Sequence, residues 1–478
     1  MINFQAKSEH DLYSESLAPV EYSKRKIGSF GIGVIWFGIA VQVTSFLVMT
    51  PLVQYYTIGE LVWINLIGQL LVCLACFVTQ EIGLKYGVSF ATTITAVAGP
   101  LGGKIVGLVR AMPAIIFVGL NGFIGATAIN MFMTAVFGFS NMLVAIIINA
   151  ILLILVTISG AKGIERFTTF AAPLMIIIGG IMFYVLMKTH SVSLIDVWDL
   201  GRTGGTSKSW LYGFGVCLGG YAAVAMGFND FTKDCTIKNG NMKKAARTHL
   251  ISYIIMSSPA FMFFTMIGII TVVLVPGMTG SEVLPYLTEL VAGGNNLIIA
   301  ILALFVFVAQ LSTNTAANLF PSVYVICALA PKKINFKTAT VIVGVLAFVL
   351  QPWKFGPILD VFLAVFGAAG GPALAIIAVD YYYFRKRKYS LGDLFNSRGK
   401  YFYWHGINPV SLSCYVSGII IGLLFLDYNY FVSLAATSVL YIFAGNLFAK
   451  KFPVMVSETA EDLTNFTIND DSKIDHVI

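Results

Sequence analysis

Apolar runs as long as a bilayer is thick recur from one end of this chain to the other. LVWINLIGQLLVCLACFV (61–78), MLVAIIINAILLILVTI (142–158) and LIIAILALFVFVA (297–309) are three of them. A hydrocarbon layer of about 30 Å is crossed by a helix of about 20 apolar residues. Inside it every backbone N–H and C=O must be paired within the protein. The runs do not alternate polar with apolar, as barrel strands would. Only 11% of the 478 residues are charged and 58% are hydrophobic. A soluble globule carries about 25% charge. The class is an all-α polytopic membrane protein.

Twelve spans are expected, at roughly 29–52, 58–83, 104–135, 141–160, 163–188, 208–231, 248–276, 296–328, 337–352, 356–383, 409–426 and 429–449. GSEVLPYLTELVAGG (280–294) is too polar to span and reads as an amphipathic helix on the outer face. Lys and Arg gather at cytoplasmic ends of spans. With the N-terminus inside, 26 of the 30 Lys and Arg fall on cytoplasmic segments, Arg110 and Arg385 among them. Only Lys188, Arg202, Lys208 and Lys354 fall outside. Both termini are therefore expected in the cytoplasm, and the net charge of +7 is a topology signal rather than a nucleic-acid footprint. The polar start argues against a cleaved signal peptide. The final acidic stretch reads as disordered, its Asn-Phe-Thr sequon on the cytoplasmic side. Cys73 and Cys76 form a lone CxxC without the partners of a metal or redox site, so they read as small apolar helix residues.

The expected interior is polar without being charged. Asp230, Asp360 and Asp380 fall near span ends, where hydration or loop contacts can keep them ionised. No buried histidine is expected: His10, His190, His249, His405 and His476 fall in tails, loops or span ends. Neutral groups furnish the spans instead: Gln42, Asn121, Asn130, Tyr221 and the cluster QLSTNTAANLFP (310–321). Span 6 carries glycines at 213, 215, 219, 220 and 227. That is the look of a broken helix with midplane backbone exposed, or of close packing through small residues.

In span 8, Ala309, Ser312 and Thr313 follow i, i+3, i+4 and share one face. Two hydroxyls with backbone carbonyls would suit a small hard cation. Asn318 lies about 7–8 Å further along the axis, and its amide offers donors and an acceptor to a planar heterocycle. The competing reading has Ser and Thr bonding back to their own helix and the asparagines tying helices together. Asn314 receives no ligand role; helix pinning is the expectation for it.

The stretches IGSFGIGVIWFGIAVQV (27–43), NDFTKDC (229–235), LSTNTAANLFPSVY (311–324), PKKINFKTATVIVG (331–344), QPWKF (351–355), GGPALAIIAVDYYYFRKRKYSLGDLF (370–395) and GKYFYWHGIN (399–408) carry a resemblance over roughly residues 17–455. The chain resembles the nucleobase–cation symporter-1 family, in particular its hydantoin and allantoin permease branch with the bacterial sodium–hydantoin transporters. The resemblance implies twelve transmembrane helices in a LeuT-like 5+5 inverted repeat plus two C-terminal helices, working by alternating access. The organisation would be a tail (1–28), a first five-helix repeat (29–188), an external loop (189–207), a second repeat (208–383), a cytoplasmic loop (384–408), helices 11–12 (409–449) and a tail (450–478). The implied sodium set is the carbonyls of Gly38, Val41 and Ala309 with the hydroxyls of Ser312 and Thr313. The implied substrate set is Gln42, Phe117, Asn121, Gly220, Tyr221 and Asn318, with Leu363 as a gate. In the hydantoin branch two tryptophans sandwich the ring, and a glutamine and an asparagine bond its edge. Phe117, Tyr221 and Asn121 depart from that pattern, while Asn318 keeps it. The smaller sandwich favours a compact nucleobase, allantoin or a small hydantoin over bulky aryl hydantoins.

The expected activity is sodium-coupled import of such a heterocycle across the cell membrane by a monomer, with no cofactor. Alternatives are proton coupling in a permease of the same family and a passive facilitator. A channel would want a continuous polar stripe, whereas these polar residues cluster at one depth. A membrane enzyme would need a nucleophile–base pair or a metal set, and the spans offer neither.

Overall fold

The computed structural model describes residues 11–41, 45, 49–237, 240–279, 282–355 and 368–452. Gln42, Asp360, Leu363 and the acidic end from residue 453 lie outside the described residues. Helices account for nearly all regular structure, in the order α1 (Ser29–Ala40), α2 (Ile58–Tyr86), α3 (Phe90–Ala98), α4 (Pro100–Phe137), α5 (Met142–Ile158), α6 (Gly160–Thr189), α7 (Trp210–Ala225), α8 (Met242–Leu274), α9 (Val283–Ala292), α10 (Asn296–Thr313), α11 (Phe320–Leu329), α12 (Phe336–Val349), α13 (Gly370–Ala378), α14 (Pro409–Leu424) and α15 (Asn429–Leu447). Seven helical segments among the described residues are long and apolar enough to cross a membrane, the run from α10 through α11 counted as one. Others, such as α1, α5, α7 and α14, are apolar but shorter.

Local chemistry sets many of the ends. Thr57 and Glu60 form a reciprocal capping box at the start of α2, satisfying backbone donors that a helix start leaves open. Gly87 closes the same helix at φ 67°, where a side chain would be strained. Asn141, Asn295, Asn335 and Asn408 cap α5, α10, α12 and α14 with their side-chain oxygens. The outward faces are apolar: Leu143, Ile147, Ile151 and Leu155 of α5 and Phe170, Ile177 and Ile181 of α6 are exposed. Hydrocarbon is the solvent that such a surface suits.

Packing sorts the helices into two groups. α1, α2, α7 and α8 pack on one another, and so do α4, α5, α10, α11 and α12. α6 touches both groups, reaching α1 on one side and α10 on the other. α1 and α7 open the two expected repeats, and both stop short. At 1.5 Å per residue their 12 and 16 residues span about 18 and 24 Å, less than the layer they would cross. α1 ends at Val41, whose backbone leaves the helix at φ −91°, ψ 85°. α7 ends at Ala225 and resumes as one turn at Asn229–Thr232.

The span 6 glycines serve both expected purposes. Gly213 lets Ile64 approach: a Cβ there would stand 2.6 Å from the Ile64 side chain. Gly227 lies within the break, where a Cβ would stand 2.3 Å from the Arg110 guanidinium.

Several expectations are corrected. Arg110 is not on a solvated segment; it lies inside α4, 4% exposed, in an ion pair of 2.8 Å with the fully buried Asp230. Asp380 is equally buried and pairs with Arg385 at 2.7 Å. For Asp230 the balancing group is an arginine inside a helix instead of water or a loop, whereas for Asp380 it is Arg385 of the expected loop 384–408, one of the two kinds of contact expected there. The loop after Phe384 is packed: Tyr389, Leu394, Phe395 and Tyr401 are buried. His249 is buried in α8, its Nε2 3.1 Å from the Thr236 carbonyl. Asn130 is no interior group; it ties the end of α4 to Ser140 and the Asn141 N–H. α3 was unforeseen; every one of its residues is buried.

The N-terminal segment crosses the end of the bundle that carries most of the basic residues. The Leu12 N–H donates to the Phe395 carbonyl at 3.0 Å, and Ser16 accepts from the Phe336 N–H at 2.9 Å. At the opposite end Arg202 pairs with Glu60 and Lys208 with Asp427.

Candidate functional site

The polar run of span 8 enters the structure where α10 loses its α-helical register. α10 is regular to Thr313; residues Asn314–Leu319 then form a π-turn before α11 begins. Such a turn holds one residue more than an α-turn and is frequent at functional sites. Ser312, Thr313, Asn314 and Thr315 are all buried to within 1% of full. The two readings of these residues divide between them. Thr315 bonds back to Leu311 and Ser312 of its own helix. Ser312 and Thr313 reach other helices instead.

The Thr313 hydroxyl donates to the Gly38 carbonyl at 2.6 Å and also lies 3.1 Å from the Val41 carbonyl. These carbonyls face outward because α1 ends there. The Ser312 hydroxyl stands 2.8 Å from Thr168 Oγ1 of α6. Gly38 makes the approach possible: a Cβ on it would lie 2.6 Å from both Ser312 Oγ and a Thr168 carbon. Ala309 is buried one turn earlier on the same face of α10. Four residues of the expected cation set thus converge where the two helix groups meet. Thr168 is the residue that sequence reasoning missed; a single threonine in a long span gives no signal without the contact. The oxygens are neutral and hard, as a sodium ion requires. Among the described residues no group of three His, Cys, Asp or Glu is placed to hold a different kind of metal.

Past the ledge, Asn314 pins helices as expected. Its Nδ2 donates to the Val118 carbonyl of α4 at 2.9 Å, and its Oδ1 accepts from Asn318 Nδ2 at 3.0 Å. Asn318 is half-buried and so held through Asn314. On α4, Phe117 is half-buried and Asn121, one turn on, is 2% exposed. The Asn121 Oδ1 has no hydrogen-bond partner among the described residues. A buried carbonyl oxygen left so costs stability and calls for a ligand or water. On α7, Tyr221 is buried with its ring 5.8 Å from Trp36 of α1 and 5.5 Å from Phe261 of α8. Trp36 was also missed, although it stands in the quoted WFG of span 1. It packs on Phe228 and Tyr253 as well and sets the plane of the Tyr221 ring. Gly220 is exposed within its helix, with nothing within 4 Å of where a Cβ would stand. Gln42 and Leu363 lie outside the described residues.

α4, α7 and the span 8 turn surround one small cavity, lined by Ala114, Ala223 and Ala317 among others. Those alanines lie three residues before Phe117, two after Tyr221 and one before Asn318. The expected substrate positions thus lie on the helices that wall this cavity, next to its lining in sequence, though Phe117, Asn121, Tyr221 and Asn318 do not themselves line it.

Solved structures share this architecture. Mhp1, a nucleobase-cation-symport-1 family transporter in a closed conformation with bromovinylhydantoin bound, superposes with a TM-score of 0.88 at 27% identity, covering 95% of this chain and 99% of that one. Its inward-facing conformation gives 0.81. A Na+-coupled sialic acid symporter shares the fold alone, at 14% identity and a TM-score of 0.60 over 92% of this chain and 93% of that one. The fold is that of a helical membrane transporter of the LeuT-like kind, and the chain is a transporter rather than an enzyme.

The chain belongs to the nucleobase–cation symporter-1 family, the permeases for cytosine/purines, uracil, thiamine and allantoin, whose pattern matches residues 19–444. Among its curated relatives, the hydantoin permease of Microbacterium maritypicum is 29% identical over 452 residues, 93% of this chain and 91% of that one. The allantoin permease of Bacillus subtilis (strain 168) is 26% identical over 467 residues, 90% and 92% of the two chains.

Proposed function

We propose that this permease imports a small nitrogenous heterocycle of the nucleobase, allantoin or hydantoin type, driven by sodium symport. The observation that carries the reading is the Thr313 hydroxyl within reach of two carbonyls exposed where α1 ends. A sodium ion there would take the oxygens of Gly38, Val41, Ala309, Ser312 and Thr313 as ligands, with Thr168 orienting Ser312. It would bridge the two helix groups, so that its binding favours one of their arrangements. A ligand shifts such an equilibrium only by its differential affinity for the two states.

The heterocycle would lie between Phe117 and Tyr221. Asn121 Oδ1 would accept from a ring N–H, and Asn318 would bond the opposite edge. Gln42 would face the ring from span 1, Gly220 would leave room beside it, and Leu363 would close over it. The frame is twelve spans: repeats at 29–188 and 208–383 joined through 189–207, with α9 lying outside at 280–294 and helices 11–12 at 409–449. The basic end, with the tails and loop 384–408, faces the cytoplasm of a cell-membrane monomer.

Uptake of labelled uracil, cytosine, hypoxanthine, hydantoin, allantoin and benzylhydantoin into proteoliposomes tests this. At least one compact compound is expected to accumulate only with an inward sodium gradient. Accumulation that follows a pH gradient and ignores sodium would replace the ion; equilibration without accumulation would make the protein a facilitator.

A further inference from the structure

Arg110 is held more firmly than its pairing with Asp230 requires, and one of its nitrogens is left over. Nε donates to the Ala223 carbonyl at 2.8 Å and Nη1 to Asp230 Oδ2 at 2.8 Å. The other Asp230 oxygen accepts the Phe90 N–H at 2.9 Å, so the carboxylate is fully engaged. The guanidinium lies over the Phe90 ring at 4.4 Å and against the bare Gly227. Nη2 has no partner among the described residues, although the side chain is only 3% exposed. An unpaired guanidinium N–H in an apolar setting is costly, and Arg110 is among the residues that line a cavity.

That cavity is the alanine-walled space already described, lined also by Arg110, Ala111, Pro321, Ser322 and Val325. On α4 and α7 its lining lies toward the basic end from the substrate positions, and on the third helix Pro321, Ser322 and Val325 do so while Ala317 stands beside Asn318. Further in that direction Val325 stands between this cavity and a second one flanked by Gly103 and Gly107. Leu12 and Leu17 of the N-terminal segment line the second cavity. Methyl and glycine walls leave flat surfaces for a planar ring. Among the described residues of its lining, the buried side-chain atom left unsatisfied is a donor, Arg110 Nη2, which suits a carbonyl oxygen.

We propose that Arg110 Nη2 forms a second, transient docking place for a ring carbonyl of the departing heterocycle, between its release from Asn318 and its exit at the basic end. This rests on the substrate class and orientation given under Proposed function. In this structure the space is tight, and parting of the two helix groups would widen it.

The test compares Arg110→Lys, which keeps a cation opposite Asp230 but loses the Nη2 donor, with Ala114→Leu, which fills the cavity and leaves the ion pair alone. Labelled uracil, hydantoin and allantoin are the probes, and equilibrium binding to purified protein is measured beside turnover in proteoliposomes. The expected result is a dissociation constant within twofold of the unaltered protein for both variants, with turnover at least fivefold lower. Unaltered turnover in Ala114→Leu overturns the proposal. So does a loss of affinity equal to the loss of turnover, which would place both residues in the main site. A lower melting temperature with unaltered turnover in Arg110→Lys would confine Arg110 to the fold. If no probe binds the unaltered protein, the substrate class itself fails and this proposal with it.

Discussion

Thr313 and Asn121 sit on helices that pack against each other, yet their polar atoms are in opposite states. The Thr313 hydroxyl is satisfied twice over, by carbonyls of the neighbouring helix group. The Asn121 carbonyl oxygen is as deeply buried and has no partner among the described residues. The first region is a joint that the protein closes with its own atoms. The second is a surface that, under the proposed function, a substrate would complete. A cation at the ledge must therefore displace existing bonds, whereas a heterocycle at Asn121 supplies a missing one.

The contrast breaks most directly at Thr313. Thr313→Val strands the Gly38 and Val41 carbonyls, and each buried group left unpaired costs about 1–3 kcal/mol. Lower thermal stability and loss of sodium-stimulated uptake are expected together, read by melting curves and proteoliposome transport. Retention of both would dismiss the ledge.

Asn318→Ala comes next. It removes an edge contact and frees Asn314, so substrate affinity should fall about 5- to 150-fold, the equivalent of 1–3 kcal/mol. Titration of purified protein measures it, and unaltered affinity would take Asn318 out of the site.

Asn121→Leu sharpens the comparison, because it should separate two quantities that fall together at Thr313. Affinity is expected to drop about tenfold, for one hydrogen bond of roughly 1.4 kcal/mol. Thermal stability should hold or rise, since an unsatisfied acceptor is removed. A marked loss of stability would mean that Asn121 is structural.

Thr168→Val has the smallest expected effect. It deletes one hydroxyl contact to Ser312, worth about 0.5–1.5 kcal/mol. A several-fold rise in the sodium concentration for half-maximal uptake is expected, with substrate affinity at saturating sodium unaltered. Equal shifts in both would deny Thr168 a role at the ledge.

Much of this was legible in the sequence because hydrophobic run length is a local property. The start of α2 at Ile58, the ends of α5 and the outer helix Val283–Ala292 fall within a few residues of their expected places. The ledge was legible because i, i+3, i+4 spacing puts Ser312 and Thr313 on one face whatever surrounds them. What stayed hidden depends on contacts distant in sequence. Arg110 looked like a topology charge because its partner Asp230 is 120 residues away. The contacts of Thr168 and Trp36 with the candidate site show only once α6 and α1 are set against their neighbours. The helix Phe90–Ala98 was missed because nine residues are too few for a span signal.

The π-turn at Asn314–Leu319 has a consequence for how this protein can vary by inheritance. An α-helix advances about 100° per residue, so losing one codon within Asn296–Thr313 would swing one flank of the span away from its neighbours. The π-turn already contains one residue beyond the α-helical count. Losing a codon there would restore a regular helix with both flanks in register. The anchor at Asn318 can thus be rebuilt by a change in length while the ledge at Ser312 and Thr313 keeps its place. Deletion, as well as substitution, is then a route by which the surroundings of Asn318 could change while the Ser312 and Thr313 hydroxyls stay in place.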